Sequence, residues 1–494
     1  MSTYRQIFKS TALIGGTQVL TLLIGIARTK ALALWLGPAG MGLAGLYLSA
    51  TGLIGTITGL GIGSSGVRQI AEAAGSGDGK KLARTVAALR AAALVSSLAG
   101  MLIIVGLCRP LSRATFGKLD YAGDLALVSL TLLCGGVSAG QIALLQGLRR
   151  LKDMAAAQVL GAAFGAVVSV TLVFFLRERG VAWFLVAISL FGVLTSWWYA
   201  RKVKIEKVPI GLGQILTETR GLLSMGFAFM TAGLASAGSS YLTRVLITHR
   251  LGLDSAGLYQ ATWTLSTYYV GFVLSAMGAD FCPRLTGVAT DNATVNHMVN
   301  EQVETGVLIA LPGVLATLVL APWVLSLFYS KAFVAAATLV RWQAIGVFLR
   351  VVSWPLAMVL IAKGKSGLYM GTEIVSAALG LALLFGSMRA WGLEGVGVAF
   401  AASYILYTAT MWAVCHRVSG FSWSRGSRKI VGASCALVLL AFLTSRLLPE
   451  PWASGGGALL TLLGGLASFV GLQRLLNIDL LKTVKQKLKW RLAT

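Results

Sequence analysis

The chain has 494 residues, of which 56% are hydrophobic and only 12% are charged, and its mean hydropathy is +0.79. So few charges cannot cover the surface of a soluble protein of this size, which excludes a soluble globular fold. The net charge of +25 would suggest a nucleic-acid partner in a soluble protein. In a membrane protein the same excess is typical of cytoplasmic loops, so we expect a lipid bilayer as the surroundings and no nucleic acid.

About 14 apolar segments are long enough to cross the roughly 30 Å hydrocarbon core of a bilayer. In chain order they are predicted at 11–36, 41–66, 84–107, 123–147, 154–176, 181–200, 221–248, 255–282, 301–327, 334–362, 367–388, 393–415, 429–447 and 456–474. An even number of spans places both termini on one side of the membrane. If that side is the cytoplasm, the cytoplasmic loops hold about three times as many Lys and Arg as the outer loops, so we predict cytoplasmic N- and C-termini.

Short sequence matches recur at an offset of 215 or 216 residues. They pair Leu36-Gly37 with Leu251-Gly252, Gly42-Leu43 with Gly257-Leu258, Met154 with Met370, and Gly180-Val181 with Gly395-Val396. Spans 1–6 and 7–12 are therefore predicted to be parallel repeats, because both copies begin on the cytoplasmic side. The expected fold is an all-α polytopic membrane protein with two six-helix lobes around a central cavity. Its predicted parts are an N-terminal lobe at 1–210, a C-terminal lobe at 211–420, two extra helices at 421–475 and a basic amphipathic cytoplasmic tail at 476–494.

Basic residues occur within the predicted spans, where an ionised group costs about 2.5–3.5 kcal/mol and normally faces a cavity or a partner. They are Arg28, Lys30, Arg90, Arg244, Arg341 and Arg350, with Arg68 at the inner end of span 2. The acids of the N-terminal lobe all fall in loops or at helix ends, so these cations predict an anionic ligand in the cavity. For each of them the alternative is a side chain that reaches a lipid headgroup or a helix-end carbonyl.

Position around the helix narrows this set. Arg28 and Lys30 are about 200° apart on one helix, so we favour one of them together with Arg244 at the lobe interface. Arg341 and Arg350 are likewise about 180° apart, and only one of the two is expected to face the cavity.

Two acids are candidates for ion coupling. Glu373 lies within span 11, where a carboxylate can carry a proton or can be the structural partner of an Arg, and both interpretations stay open. Asp280 lies four residues before Arg284, a spacing that favours a helix-end ion pair over a site.

The remaining motifs do not indicate catalysis. Five scattered Cys and three separate His predict neither a metal site nor a disulfide framework, and we expect no cofactor. Gly61-x-Gly63-x-x-Gly66 matches a dinucleotide fingerprint but follows no strand, so a helix hinge or packing site is expected. Trp263, with Tyr268 and Tyr269, could stack on sugar, although packing is the favoured interpretation. No nucleophile–base spacing appears, and we expect a transporter and not an enzyme.

Several longer motifs carry a family resemblance over about residues 10–415. They are the stretch from Leu36 to Ala44, the stretch from Ala256 to Gln260, Asp280-Phe281-Cys282-Pro283-Arg284-Leu285, Trp342-Gln343-x-x-Gly346-x-x-x-Arg350, Leu360-Ile361-Ala362-Lys363, and Glu373. The chain resembles the Wzx-type O-antigen and enterobacterial-common-antigen flippases, in the polysaccharide transporter branch of the multidrug/oligosaccharidyl-lipid/polysaccharide exporter (MOP) superfamily.

The resemblance implies outward movement of an undecaprenyl-diphosphate-linked oligosaccharide across the bacterial inner membrane by alternating access. It also implies a cationic cavity to which Lys30, Arg244 and Arg350 correspond, whereas Arg28 matches less consistently. A proton gradient, a sodium gradient or the membrane potential is expected to drive the cycle, and a polysaccharide polymerase and a chain-length regulator are candidate partners. The alternatives are a peptidoglycan lipid II flippase, a cation-coupled multidrug exporter of the same superfamily, and a polymerase or glycosyltransferase.

Overall fold

The computed structural model describes residues 3–59, 61–203, 205, 212–448 and 452–476. Side chains are described throughout these ranges except at 3–12, 64, 212–232, 268, 269, 272, 275, 276, 279, 452–454 and 476. Of the predicted basic tail at 476–494, only residue 476 is described, and 477–494 lie outside the described residues. The predicted lobe boundary near residue 210 also lies outside them.

The described backbone consists of α-helices and two short 3-10 segments, with no strand among the described residues. The helices are α1 (Thr3–Gly59), α2 (Ile62–Gly75), α3 (Gly79–Phe116), α4 (Ala122–Val128), α5 (Leu130–Gly147), α6 (Leu151–Leu176), α7 (Gly180–Ala200), α8 (Leu212–Gly287), α9 (Asn292–Val319), α10 (Ala321–Phe328), α11 (Ala337–Ala362), α12 (Ser366–Ser419), α13 (Arg425–Leu447) and α14 (Trp452–Leu476). The prediction of an all-α polytopic membrane protein is confirmed.

The longest helices bend at a glycine and so hold two membrane-length arms each. The bends lie at Gly37 in α1, Gly252 in α8 and Gly392 in α12, all with positive φ. Among the described residues, nine helices are long and apolar enough to cross a membrane, and Leu13–Gly59, Leu151–Ala200 and Ser366–Ser419 exceed twice the usual length. Dividing these three and counting both arms of α8 gives 14 segments by length and composition alone, which is compatible with the predicted number.

The backbone repeats where the residue matches do. Three pairs of positive-φ residues share the offset of 215: Gly37 with Gly252, Arg149 with Gly364, and Arg177 with Gly392. Arg177 has φ 54° and ψ −131°, and Gly392 has φ 54° and ψ −129°. Both copies of the repeat therefore turn at equivalent positions with nearly the same geometry, which supports the duplication independently of residue identity.

Span 2 differs from the prediction of one segment at 41–66. Gly61 adopts φ 66° and separates α1 from the short helix α2. The glycine-rich motif thus acts as a hinge between two helices, one of the two interpretations given to it above.

Unit 1 comprises Met1–Gln260 with Phe328–Ala332 and contains α1–α7 and the first arm of α8. In this unit α6 packs along α7, and α5 packs against both α3 and α7. Glycines allow the close approaches, because a methyl group on Gly161 would lie 2.7 Å from Thr195 Oγ1 and one on Gly165 would lie 3.2 Å from Ile188 Cα. Small residues at such contacts are what membrane helices use to pack without a hydrophobic driving force.

Unit 2 comprises Ala261–Leu327 with Phe333–Thr494. Its core is built on α9 and α11, with α12 against α11 and with α13 and α14 against α9. Phe348, Leu356 and Phe421 are almost completely buried in this core.

Candidate functional site

Arg244 is a buried cation held by neutral groups. Only 6% of the residue is exposed. Its Nε donates to Gln260 Oε1 (2.9 Å), and its Nη1 donates to Ser240 O (3.0 Å) and Ser240 Oγ (2.5 Å). The guanidinium carbon lies 5.5 Å from the ring centroid of Tyr259. No carboxylate of the described residues contacts Arg244, so its positive charge is not neutralised there.

Two glycines bring Gln260 close to α1. A methyl group on Gly42 would lie 2.9 Å from Gly257 N, and one on Gly257 would lie 2.9 Å from Gly42 N and would also clash with Pro38 O. These equivalent glycines of the two repeats therefore let α1 and α8 touch through their backbones, directly after the bends at Gly37 and Gly252. The contact fixes the start of the second arm of α8 and thereby the amide that holds Arg244.

The same side of unit 1 has two further contacts near Arg244. Thr115 Oγ1 and Tyr241 Oη are 2.6 Å apart, and His249 Nε2 lies 2.9 Å from Ala114 O. They join the end of α3 to the first arm of α8, eight or fewer residues from Arg244. The position of Arg244 is thus set from three helices.

Arg28 and Lys30 are both half-buried on the first arm of α1. The guanidinium carbon of Arg28 lies 5.7 Å from the ring centroid of Phe184, near the start of α7. Lys30 makes no hydrogen bond or ion pair with any residue in the described ranges. Which of the two faces a ligand stays a prediction.

Four acids of unit 1 are bonded to groups other than Arg244. Glu72 pairs with Arg68 at 2.8 Å, Asp153 pairs with Arg150 at 2.7 Å, Asp78 caps the N-terminus of α3, and Asp124 accepts a 2.8 Å hydrogen bond from Tyr47. Arg68 is therefore an exposed member of an i,i+4 ion pair, with 64% of its side chain exposed. Arg90 is exposed and lines a separate cavity of unit 1, described below.

In unit 2, Arg350 lies half-buried at the middle of α11. Its side chain has no ion pair or hydrogen bond within the described part of the chain, and its charge acts on the hydroxyl group of Tyr404. Arg341 lies near the start of α11 and lines a small cavity of about 230 Å³ with Glu394 and Arg446, which form an ion pair with each other. Arg341 is thus beside a carboxylate, whereas Arg350 is near the Tyr404 hydroxyl.

A row of four aromatic rings lies in unit 2, one on α8 and three on α12, and its third ring is Tyr404, on which Arg350 acts. Trp263 and Phe400 have ring centroids 5.4 Å apart, Phe400 and Tyr404 are 4.9 Å apart, and Tyr404 and Tyr407 are 5.9 Å apart. The row ends at Glu373, whose Oε1 accepts a 2.6 Å hydrogen bond from Tyr407. We call Trp263, Phe400, Tyr404 and Tyr407 the aromatic row.

Asp280 forms the predicted ion pair with Arg284, at 2.9 Å, and both side chains are more than 60% exposed. This is the helix-end pair that the i,i+4 spacing favoured. The sequence did not single out Gln260 and Ser240 around Arg244, or Tyr404 and Tyr407 around Glu373. The regular i, i+4, i+7 spacing of Phe400, Tyr404 and Tyr407 is the signal that could have found the row.

Comparisons with known proteins agree with the motifs. A family model described as "Polysaccharide biosynthesis protein" matches residues 7–287. The protein named lipid III flippase of Escherichia coli (strain K12) is 25% identical over 396 residues, which cover 78% of this chain and 92% of that protein. Its namesake in Shigella flexneri gives the same values. The resemblance drawn from the motifs is confirmed at this level.

Solved structures share the fold. An inward-facing multidrug resistance MATE family transporter of the MOP superfamily has a TM-score of 0.66 at 16% identity, covering 81% of this chain and 95% of its own. Lipid II flippase MurJ in an inward closed conformation has a TM-score of 0.65 at 12% identity, covering 95% of this chain and 100% of its own. At these identities the likeness concerns the fold alone.

Proposed function

The chain belongs to the polysaccharide biosynthesis protein family, and on that premise we propose that it flips an undecaprenyl-diphosphate-linked oligosaccharide. The cargo is an O-antigen or enterobacterial-common-antigen repeat unit, moved from the cytoplasmic to the periplasmic leaflet of the bacterial inner membrane. The relatives named lipid III flippase support this assignment. Cytoplasmic termini, and a polymerase and a chain-length regulator as partners, belong to the same proposal.

The observation that carries the proposal is the buried guanidinium of Arg244. A charge that is removed from water without a carboxylate is costly, and such a cost is retained where an anionic ligand completes the electrostatics. A diphosphate offers oxygens that a guanidinium binds in a bidentate manner. Where a bound ligand displaces water, these charge-assisted bonds are also stronger than in solution.

Unit 2 offers the complementary chemistry for a glycan. Arg350 supplies a cation, and the aromatic row supplies ring faces and hydroxyl groups from α12 together with Trp263 of α8. Aromatic rings with a polar tip suit a ligand that is apolar on its ring faces and polar at its edges, as a pyranose is. Within unit 2 we assign Arg350 to anionic groups of the cargo and the aromatic row to its sugars.

Alternating access supplies the transport step. The backbone contact between Gly42 and Gly257 joins the two repeats within unit 1. Glu373, bonded to Tyr407 and surrounded by tyrosines, is the candidate coupling acid for a proton or sodium gradient.

The test uses full-length protein in proteoliposomes that contain a fluorescent undecaprenyl-diphosphate oligosaccharide. Arg244→Met and Arg350→Met are expected to abolish protein-dependent flipping, while Arg113→Met, at an exposed position near the end of α3, keeps it. Wild-type rates in both Arg244→Met and Arg350→Met would refute the site. A wild-type protein that flips no diphosphate-linked glycolipid at all would refute the function.

The same vesicles separate the alternatives. Lipid II as cargo tests a peptidoglycan flippase, and an accumulated cationic dye tests a drug exporter. We expect no transport of the dye, because the charge of Arg244 repels cations and no carboxylate of the described part of unit 1 neutralises that charge.

A further inference from the structure

Unit 1 contains a cavity of about 660 Å³ that the transport site does not use. It is lined by the beginning of α3, the second half of α5, the end of α7 and the short segment that follows α7. All of its lining residues belong to unit 1. Its volume is in the usual range of small-ligand pockets.

Small residues create the space. Gly140 lets α5 approach α3, because a methyl group there would lie 3.1 Å from Ala93 Cβ. Ala87 and Ala200 contribute short side chains to the walls. Leu94 and Trp197 are each 50% exposed at the cavity, so it opens toward the apolar surroundings of the helices.

Two arginine side chains and one amide side chain line this mainly apolar cavity. Arg90 is exposed within the cavity and has no ion pair or hydrogen bond with the described residues. Arg201 stacks its guanidinium over the rings of Trp198 (3.5 Å) and Trp197 (4.8 Å). Stacking orients the guanidinium plane and leaves its N–H edges available for oxygen ligands.

The amide of Gln141 completes the polar set. Gln141 is only 9% exposed, and its Oε1 accepts a 2.5 Å hydrogen bond from Ser196. The bond fixes the amide, and its Nε2 donates to no acceptor in the described ranges. This nitrogen keeps some access to solvent and has no acceptor in that part of the chain, so it is available to a ligand oxygen.

The cavity is far from the end of α7 that Arg28 contacts. Phe184, under Arg28, and Arg201 are 17 residues apart on the same helix axis, which corresponds to about 25 Å. Lys80, in the first turn of α3, and Arg149, just after α5, lie at the cavity end of unit 1, in stretches that the sequence predicts to be cytoplasmic. On the predicted topology the cavity is at the basic, inner membrane surface.

We propose that this cavity binds the phosphate headgroup of an anionic membrane lipid, with Arg90, Arg201 and Gln141 as donors and Leu94 beside the chains. Two sources share this chemistry: a glycerophospholipid of the inner leaflet and a polyprenyl phosphate. Lipid binding at this cavity does not require transport. The proposal can therefore be tested independently of the function proposed above.

The experiment is native mass spectrometry of delipidated full-length protein with either phosphatidylglycerol or undecaprenyl phosphate. Arg90→Gln and Arg201→Gln are expected to weaken binding of the preferred lipid about tenfold or more. Lys80→Gln is the matched control, because it removes one exposed charge from the same end of unit 1 without touching the cavity. Arg90→Lys is expected to retain part of the binding as a point charge.

Selective retention of phosphatidylglycerol identifies the phospholipid source, and selective retention of undecaprenyl phosphate identifies the polyprenyl source. Equal binding by Arg90→Gln, Arg201→Gln and Lys80→Gln, or no binding of either lipid by the wild type, overturns the proposal. Thermal melting monitors folding, and Arg90→Lys provides the comparison if Arg90→Gln melts early. A loss of lipid binding in Lys80→Gln as large as that in Arg90→Gln would mean nonspecific surface attraction and would also overturn it.

Discussion

Arg244→Met separates a ligand-binding role from a structural one. An arginine within a membrane helix costs about 2.5–3.5 kcal/mol, and methionine removes that cost at similar length. The loss on the other side is one charge-assisted bond to Gln260, about 1.5–3 kcal/mol, because Ser240 lies on the same helix and can bond within it. The net change is from about zero to about 2 kcal/mol of added stability.

The variant should therefore melt at the wild-type temperature or a few degrees higher, while its affinity for an undecaprenyl-diphosphate glycolipid falls about thirtyfold or more. The assays are thermal melting by intrinsic fluorescence and binding of the glycolipid to detergent-solubilised protein. A fall in stability of several kcal/mol, with affinity unchanged, would mean that Arg244 holds the helices together and would refute the reasoning. Arg113→Met controls for the loss of a charge.

Three further predictions concern packing, coupling and pH. Gly257→Ala should destabilise the contact with Pro38 by about 1–3 kcal/mol and so speed amide hydrogen exchange at 253–260 about 5- to 150-fold. The control Gly271→Ala should leave this exchange unchanged, because a methyl group there would meet nothing within 4 Å. Equal exchange rates in the two variants would contradict the prediction. Glu373→Gln should leave flipping insensitive to an imposed proton gradient, while Tyr407→Phe keeps the sensitivity, and gradient-driven flipping in Glu373→Gln would exclude it as the coupling acid. Hydrogen bonds from the side chain and backbone of Thr294 lower the pKa of Asp291, which caps α9. The stability that this cap gives the folded protein is therefore present above the ordinary pKa and is lost as pH falls through the lowered pKa. Asp291→Asn should flatten the acid side of a plot of melting temperature against pH, and an unchanged acid side would show that the cap does not contribute.

The repeat was accessible from sequence because its matching residues can be read locally, and the glycines at two of the bends are among them. Gly37 and Gly252 occupy equivalent places in the two copies, and both adopt the left-handed backbone that glycine allows at little cost. The ion pair between Asp280 and Arg284 was likewise visible from its spacing. The same rule would have paired Arg68 with Glu72, which are also four residues apart.

The surroundings of the cations were not accessible, because they depend on contacts between distant segments. Tyr407 reaches Glu373 across 34 residues. Arg90 on α3 shares a cavity with Arg201, which follows α7, because α5 packs against both of these helices. Sequence alone does not reveal this arrangement. A list of charges within spans identifies candidates, and only the packing tells which of them lack a counterion.

The turns at Arg149 and Arg177 have an evolutionary consequence. A side chain at positive φ costs about 1–2 kcal/mol, yet the first copy carries arginine at both turns where the second carries Gly364 and Gly392. The two copies share the same main-chain path at these turns, although only the second copy has the glycines that adopt it without strain. The kinship of the two halves is therefore deeper than their residue identities indicate, and torsion angles are the better measure of it.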